Sequence, residues 1–182
     1  MVFKVRVTLA GIKGFFRVYH VHGATTLYTL HKQLRSDMEF PQDQPILFKA
    51  LDVTDSVVGR YGLFDLGWGT VDQTSLEKAV KAGTDHFVYF YDVTNRKSVI
   101  VTVEGEAEGV RLSPDFPALV ESKGPNPIEF ENGYVAFEDL PDKQQRLPGE
   151  EEDDDFDDED LEEEAEEEDD EDGKEIFDES EE

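Results

Sequence analysis

Met1-Val2-Phe3-Lys4-Val5-Arg6-Val7-Thr8-Leu9 is the stretch from which the fold is first read. Phe3, Val5, Val7 and Leu9 fall on one side of an extended chain, and Lys4, Arg6 and Thr8 on the other. Alternation with period two marks a strand with one buried face and one wet face. Gly11 and Gly14 bracket a turn, and Phe15 to Val21 continues as a second strand of β-branched and aromatic character. Leu27, Leu30, Leu34 and Met38 then recur at helical spacing. Thr25 or Thr26 is placed to cap that helix, and Lys32 and Arg35 sit late, where positive charge suits the helix dipole. Pro41 follows shortly beyond its end.

Further along, Ile46 to Leu51 reads as a third strand, and residues 52–74 read mostly as loop. Thr74-Ser75-Leu76-Glu77 has the form of a capping box, with Glu77 placed to reach back to the Thr74 amide. A short helix is expected from there to about Ala82, stopped by Gly83. Phe87 to Tyr91 and Ser98 to Glu104 read as a hairpin joined through residues 92–96. After Gly109 the prolines at 114, 117, 125 and 127 suggest an extended segment wrapping over the sheet. The expected fold is α+β: a mixed, mostly antiparallel sheet of at least five strands with two helices packed on it. A ubiquitin-like grasp is the alternative. Either arrangement buries Phe3, Val5, Val7, Leu30, Leu34, Val99 and Val101.

Charge divides the 182 residues. Residues 150–182 hold 25 acids and one base, Lys174, whereas residues 1–149 hold 20 acids and 16 bases. The predicted organisation is a globular domain over 1–149 and a disordered polyacidic tail over 150–182, where like charges repel and few apolar side chains can form a core. Phe156, Leu161, Ile176 and Phe177 are the sizeable apolar residues of the tail. The chain has no cysteine, which excludes disulfides, thiolate metal sites and a catalytic thiol, and which suits a reducing compartment. Lys4 and Arg6 interrupt any signal-like apolar run, and no stretch approaches a membrane span, so a cytoplasmic protein is expected.

The order of several short motifs resembles the Ri-plasmid Orf-three-like family, whose members also travel in some transposable elements. The motifs are Ile12-Lys13 and Phe16-Arg17, then Leu30-His31 on a threonine-capped helix, then Asp43 through Phe48. Tyr89-Phe90-Tyr91-Asp92, Pro117-Ala118-Leu119-Val120 and Gly124-Pro125-Asn126-Pro127-Ile128-Glu129 follow in the family's order. The resemblance spans about residues 3–133 and implies an α+β fold, with no settled activity to carry over. Where the family has aromatic-glycine-aspartate-x-tryptophan after tyrosine-aspartate, this chain has Val93-Thr94-Asn95-Arg96-Lys97.

The residues offer no catalytic constellation. His20 and His22 share a face of the second strand, but i, i+2 spacing without a third ligand reads as two polar positions rather than a metal site. His31 reads as a packed histidine at the core's edge, and His86 as solvated. Glycines 59, 62, 67 and 69 fit neither a dinucleotide fingerprint nor a phosphate loop. The aromatic strand around Phe87, Tyr89, Phe90 and Tyr91 lacks the basic stripe that direct nucleic-acid binding needs. Trp68, between two glycines, is an interface anchor if exposed and a plug over the sheet's open end if buried.

No cofactor and no membrane partner is assigned. The leading expectation is a non-enzymatic interaction module, with Trp68, Phe156, Ile176 and Phe177 as partner-binding residues and basic proteins drawn by the acidic tail. The second is a regulator or mimic acting on nucleic-acid-binding proteins. An enzyme of unrecognised type comes third.

Overall fold

The structure is a computed structural model that describes residues 1–111, 113 and 115–141. The strands are β1 (Val2–Leu9), β2 (Ile12–His22), β3 (Leu47–Leu51), β4 (Val57–Gly62), β5 (His86–Asp92), β6 (Lys97–Glu106) and β7 (Ala118–Lys123). The helices are α1 (Leu27–Asp37), α2 (Leu76–Lys81) and α3 (Pro127–Glu131), followed by a 3-10 turn at Phe137–Asp139. The fold class is α+β, as expected from the order of strands and helices. The seven strands form one sheet in the order β4-β3-β5-β6-β1-β2-β7, and its six pairings are all antiparallel. The expected mixed sheet is therefore wholly antiparallel. The grasp alternative fails with it, because a grasp needs a parallel pairing at its centre and β1 here runs antiparallel to β6.

The register lays one row of residues across the whole sheet: Gly59, Ala50, Phe87, Val101, Val7, Arg17 and Ser122. From β3 to β2 these are buried, and α1 and α2 pack over this face with Leu27, Leu30, Leu34, Met38, Leu76 and Ala79. The neighbouring row, Arg60, Lys49, Val88, Ile100, Thr8, Phe16 and Lys123, points to the other face and stays half-buried or exposed. All seven residues expected in the core are there, Phe3 at 5% exposure and the rest at 0%.

Several local readings change. Thr26 caps α1, its hydroxyl accepting from the Thr29 amide. The cap of α2 is Ser75, which accepts from the Lys78 amide, and Thr74 instead donates its amide to the Thr70 carbonyl. Glu77 pairs with Lys81 one turn on, so the expected capping box does not form. Residues 52–74 are mostly loop, as expected, but β4, which was not expected, lies inside them. The segment after Gly109 contains β7 and α3, with a cis peptide at Phe116-Pro117. No helix among the described residues is long and apolar enough to cross a membrane. The domain boundary expected at residue 149 lies outside the described residues.

Candidate functional site

The chain leaves β4 at Gly62 and enters a loop that returns at Val71, a buried residue whose amide donates to the Gly62 carbonyl at 3.0 Å. Bridges join Tyr61 to Asp65 and Gly62 to Thr70. One oxygen of Asp65 accepts the Gly67 amide at 2.7 Å and the Gly69 amide at 2.9 Å. These bonds, the Gly69 bond foremost, hold the Asp65 carboxyl below its ordinary range. Gly67 and Gly69 both have positive φ, which bends the chain sharply on each side of Trp68.

The braced loop turns its apolar side chains outward. Phe64 is 83% exposed and Trp68 43% exposed, and Leu63 and Leu66 are also exposed. The Arg60 guanidinium lies 5.6 Å from the Trp68 ring centre, a cation–π arrangement that orients the indole. Trp68 is thus on the surface and does not plug the sheet. The other expected partner-binding residues, Phe156, Ile176 and Phe177, lie outside the described residues.

A second constellation lies where the late turn of α1 meets the sheet. Arg35, 2% exposed, donates from Nε to the Tyr89 hydroxyl and from one terminal nitrogen to the carbonyls of Gln44 and Pro45. It serves the interior rather than the helix dipole at the surface. His31 Nδ1 lies 2.8 Å from the same hydroxyl, and burial, with the charges of Arg35 and Lys32, pushes its pKa down to about 4. Nearby, Tyr91 stacks on Phe40 at 4.1 Å and donates to Glu131 of α3. Burial, then the Glu131 bond, pushes the Tyr91 phenol upward. Burial works to raise the Glu131 carboxyl, yet the bonds from Lys97 and Tyr91 hold it below its ordinary value. On β2, the Arg17 guanidinium reaches the carbonyls of Lys123 and Gly124 and the Asn126 side chain.

The histidines are scattered. His20 lies edge-on to Phe116, and His22 accepts the Ala24 amide. His86 is not solvated as expected, since its side chain is 16% exposed and sits between Asp55 at 3.3 Å and Asp85 at 3.1 Å. Among the described residues no group of three or more histidine, aspartate or glutamate side chains is placed to hold a metal ion. At neutral pH the buried polar cluster consists of protonated phenols, a neutral imidazole and guanidinium groups engaged with carbonyls. That inventory braces helices and strands against one another.

Sequence reading singled out Trp68 but missed Arg17, Arg35, Tyr91 and Glu131, whose partners are far away in the chain. The resemblance did quote two of the segments that meet here. Tyr89 to Asp92 meets α1 through the Arg35–Tyr89 bond, and Gly124 to Glu129 is tied to β2 by Arg17–Gly124 and to the chain just after α1 by the Asn126–Glu39 bond. In Val93 to Lys97, where the family's tryptophan signature is replaced, the first four residues form the β5–β6 turn and Lys97 opens β6, with Asp92 accepting from Asn95.

No curated protein matches the chain. A solved structure of a protein of unknown function from Methanosarcina mazei Go1 is similar, with a TM-score of 0.54 and 19% identity over 69% of this chain and 70% of that one. At that identity the likeness concerns the fold. The family model for plasmid pRiA4b ORF-3-like proteins matches residues 1–181, and with the motif order and the sheet that carries it, the chain belongs to that family.

Proposed function

We propose that the chain is a protein-interaction module that seizes a basic partner through the loop around Phe64 and Trp68 and attracts it through the acidic tail. The observation that carries this reading is the 83% exposure of Phe64 on a loop whose backbone is braced by Asp65. An apolar side chain held out in water by a rigid loop loses little freedom on binding, and aromatic residues dominate interface energetics. The tail supplies the charge: 25 acids against one base over residues 150–182. Such a segment speeds encounter with cationic proteins and is screened as salt rises. A regulator of nucleic-acid-binding proteins is one form this module takes, because those proteins present basic surfaces.

The test is recovery of a defined partner from extract of the source organism by the full chain and by the Phe64→Ser/Trp68→Ser variant. A loss of about tenfold or more supports the loop as the anchor. Equal recovery by the two chains, with the variant folded, defeats the loop reading. Recovery that does not change between low and physiological salt defeats the role given to the tail.

A further inference from the structure

We propose that the outer edge of β7 takes an extended basic segment of a partner protein as an eighth strand of the sheet. β7 ends the sheet, and among the described residues β2 is its one strand neighbour. An edge strand presents backbone N–H and C=O groups without partners, and proteins commonly cover or blunt such edges. The opposite edge is covered in part, since Tyr61 and Gly62 of β4 are bridged by the chain's own loop at Asp65 and Thr70. The described residues show no such bridge along β7. Leu119 and Val120 are exposed in the strand itself. The chain that follows adds exposed Tyr134 and Phe137, and the Lys123–Glu138 ion pair ties that segment to the end of β7.

Charge decides the occupant. Residues 1–117 carry 13 bases and 14 acids, whereas residues 118–141 carry one base and five acids. The single base, Lys123, is already engaged with Glu138. Of the five acids, Glu131 is paired with Lys97, Glu138 with Lys123, and Asp139 accepts the Lys13 and Gly14 amides. Glu121 and Glu129 therefore carry the uncommitted negative charge that accompanies the exposed Leu119 and Val120. A second copy of the chain would set these acids against themselves, and like charges across a strand pair are unfavourable. A segment alternating apolar and basic residues suits both features: its backbone completes the edge, its apolar side chains cover Leu119 and Val120, and its bases meet Glu121 and Glu129. The Phe64–Trp68 loop plays no part in this, so the two readings stand or fall separately.

The experiment uses the full chain and a labelled short peptide alternating lysine and valine, compared with the same peptide N-methylated at every second residue. Both peptides have equal charge, so the acidic tail attracts them alike. The expected result at physiological salt is binding about tenfold tighter for the unmethylated peptide, because strand addition needs its N–H groups. That difference vanishes in a Leu119→Lys/Val120→Lys variant, and the unmethylated peptide slows amide exchange within residues 118–123. Equal affinity for the two peptides, or unchanged exchange at β7, overturns the proposal. Exchange that slows with protein concentration alone also overturns it, because the edge then belongs to a second copy.

Discussion

Arg35 Nε donates a 3.0 Å hydrogen bond to the Tyr89 hydroxyl in the core, and that hydroxyl lies 2.8 Å from His31 Nδ1. One phenol thus joins a buried cation on α1 to a neutral imidazole on the same helix. Removing the hydroxyl leaves the guanidinium short of a partner where water does not replace it. Tyr89→Phe is expected to cost about 2–4 kcal/mol, measured by urea unfolding at neutral pH. A cost near zero would show that the cluster is solvated.

His31 makes the stability depend on pH in a definite direction. Its folded pKa of about 4 lies below the ordinary 6.5, so the unfolded chain takes up a proton that the folded chain refuses. No cost arises above pH 6.5. The cost grows as pH falls from 6.5 to about 4 and is constant below that. His31→Gln, which keeps a polar group near Tyr89, is expected to be less stable than the native chain at pH 7. By pH 4.5 the gap should narrow by about 2 kcal/mol. The comparison is made by urea unfolding of both chains at the two pH values, and a constant gap rules the linkage out.

Arg17 clamps the edge of the sheet to α3 through the carbonyls of Lys123 and Gly124 and the side chain of Asn126. Arg17→Gln is expected to lower the opening free energy of residues 118–131 by about 1–3 kcal/mol while leaving β1, β5 and β6 slow to exchange. Hydrogen exchange resolved by residue checks this. Uniform acceleration across all strands would mean that Arg17 supports the whole core instead.

Gly11 and Gly124 separate backbone strain from collision. Their φ angles are nearly equal, +75° and +74°, but a Cβ at Gly11 meets nothing, whereas one at Gly124 would collide with the Gly14 carbonyl oxygen. Gly11→Ala is expected to cost about 1 kcal/mol and Gly124→Ala clearly more, because only the second forces the β7–α3 connection away from β2. Thermal unfolding of the two variants side by side decides it.

Deletion of residues 150–182 is expected to leave cooperative unfolding intact. The apolar periodicities lie before that point, and removing 25 acids relieves self-repulsion. A midpoint equal to or slightly above that of the full chain is the expected outcome of a thermal scan. Aggregation or loss of cooperativity would move the domain boundary.

Much of the sheet was legible because alternation is local: Lys4 and Val5 declare opposite faces without reference to anything else in the chain. The β5–β6 hairpin announced itself in the same way. β4 did not, because Gly59, Arg60 and Gly62 break the apolar pattern, and Gly59 is buried where the Tyr61 ring leaves room for no Cβ. β7 hid for a different reason. Leu119 and Val120 are exposed neighbours, so an edge strand with little buried face left no periodicity to read.

The sequence by itself determined the family, the α+β class, the seven core positions and the division of charge between body and tail, since each rests on residue order and composition. It also marked Trp68. Only the tertiary structure decided that Trp68 faces water, because that depends on how Asp65 and two positive-φ glycines fold the loop. Only the tertiary structure turned Arg35 inward. A basic residue in the last turn of a helix has a good surface role at the dipole, and nothing near it in the chain argues otherwise. Its actual partners are carbonyls nine and ten residues on and a phenol 54 residues away. A buried charge is settled by the sum of such distant bonds, and no local pattern encodes that sum.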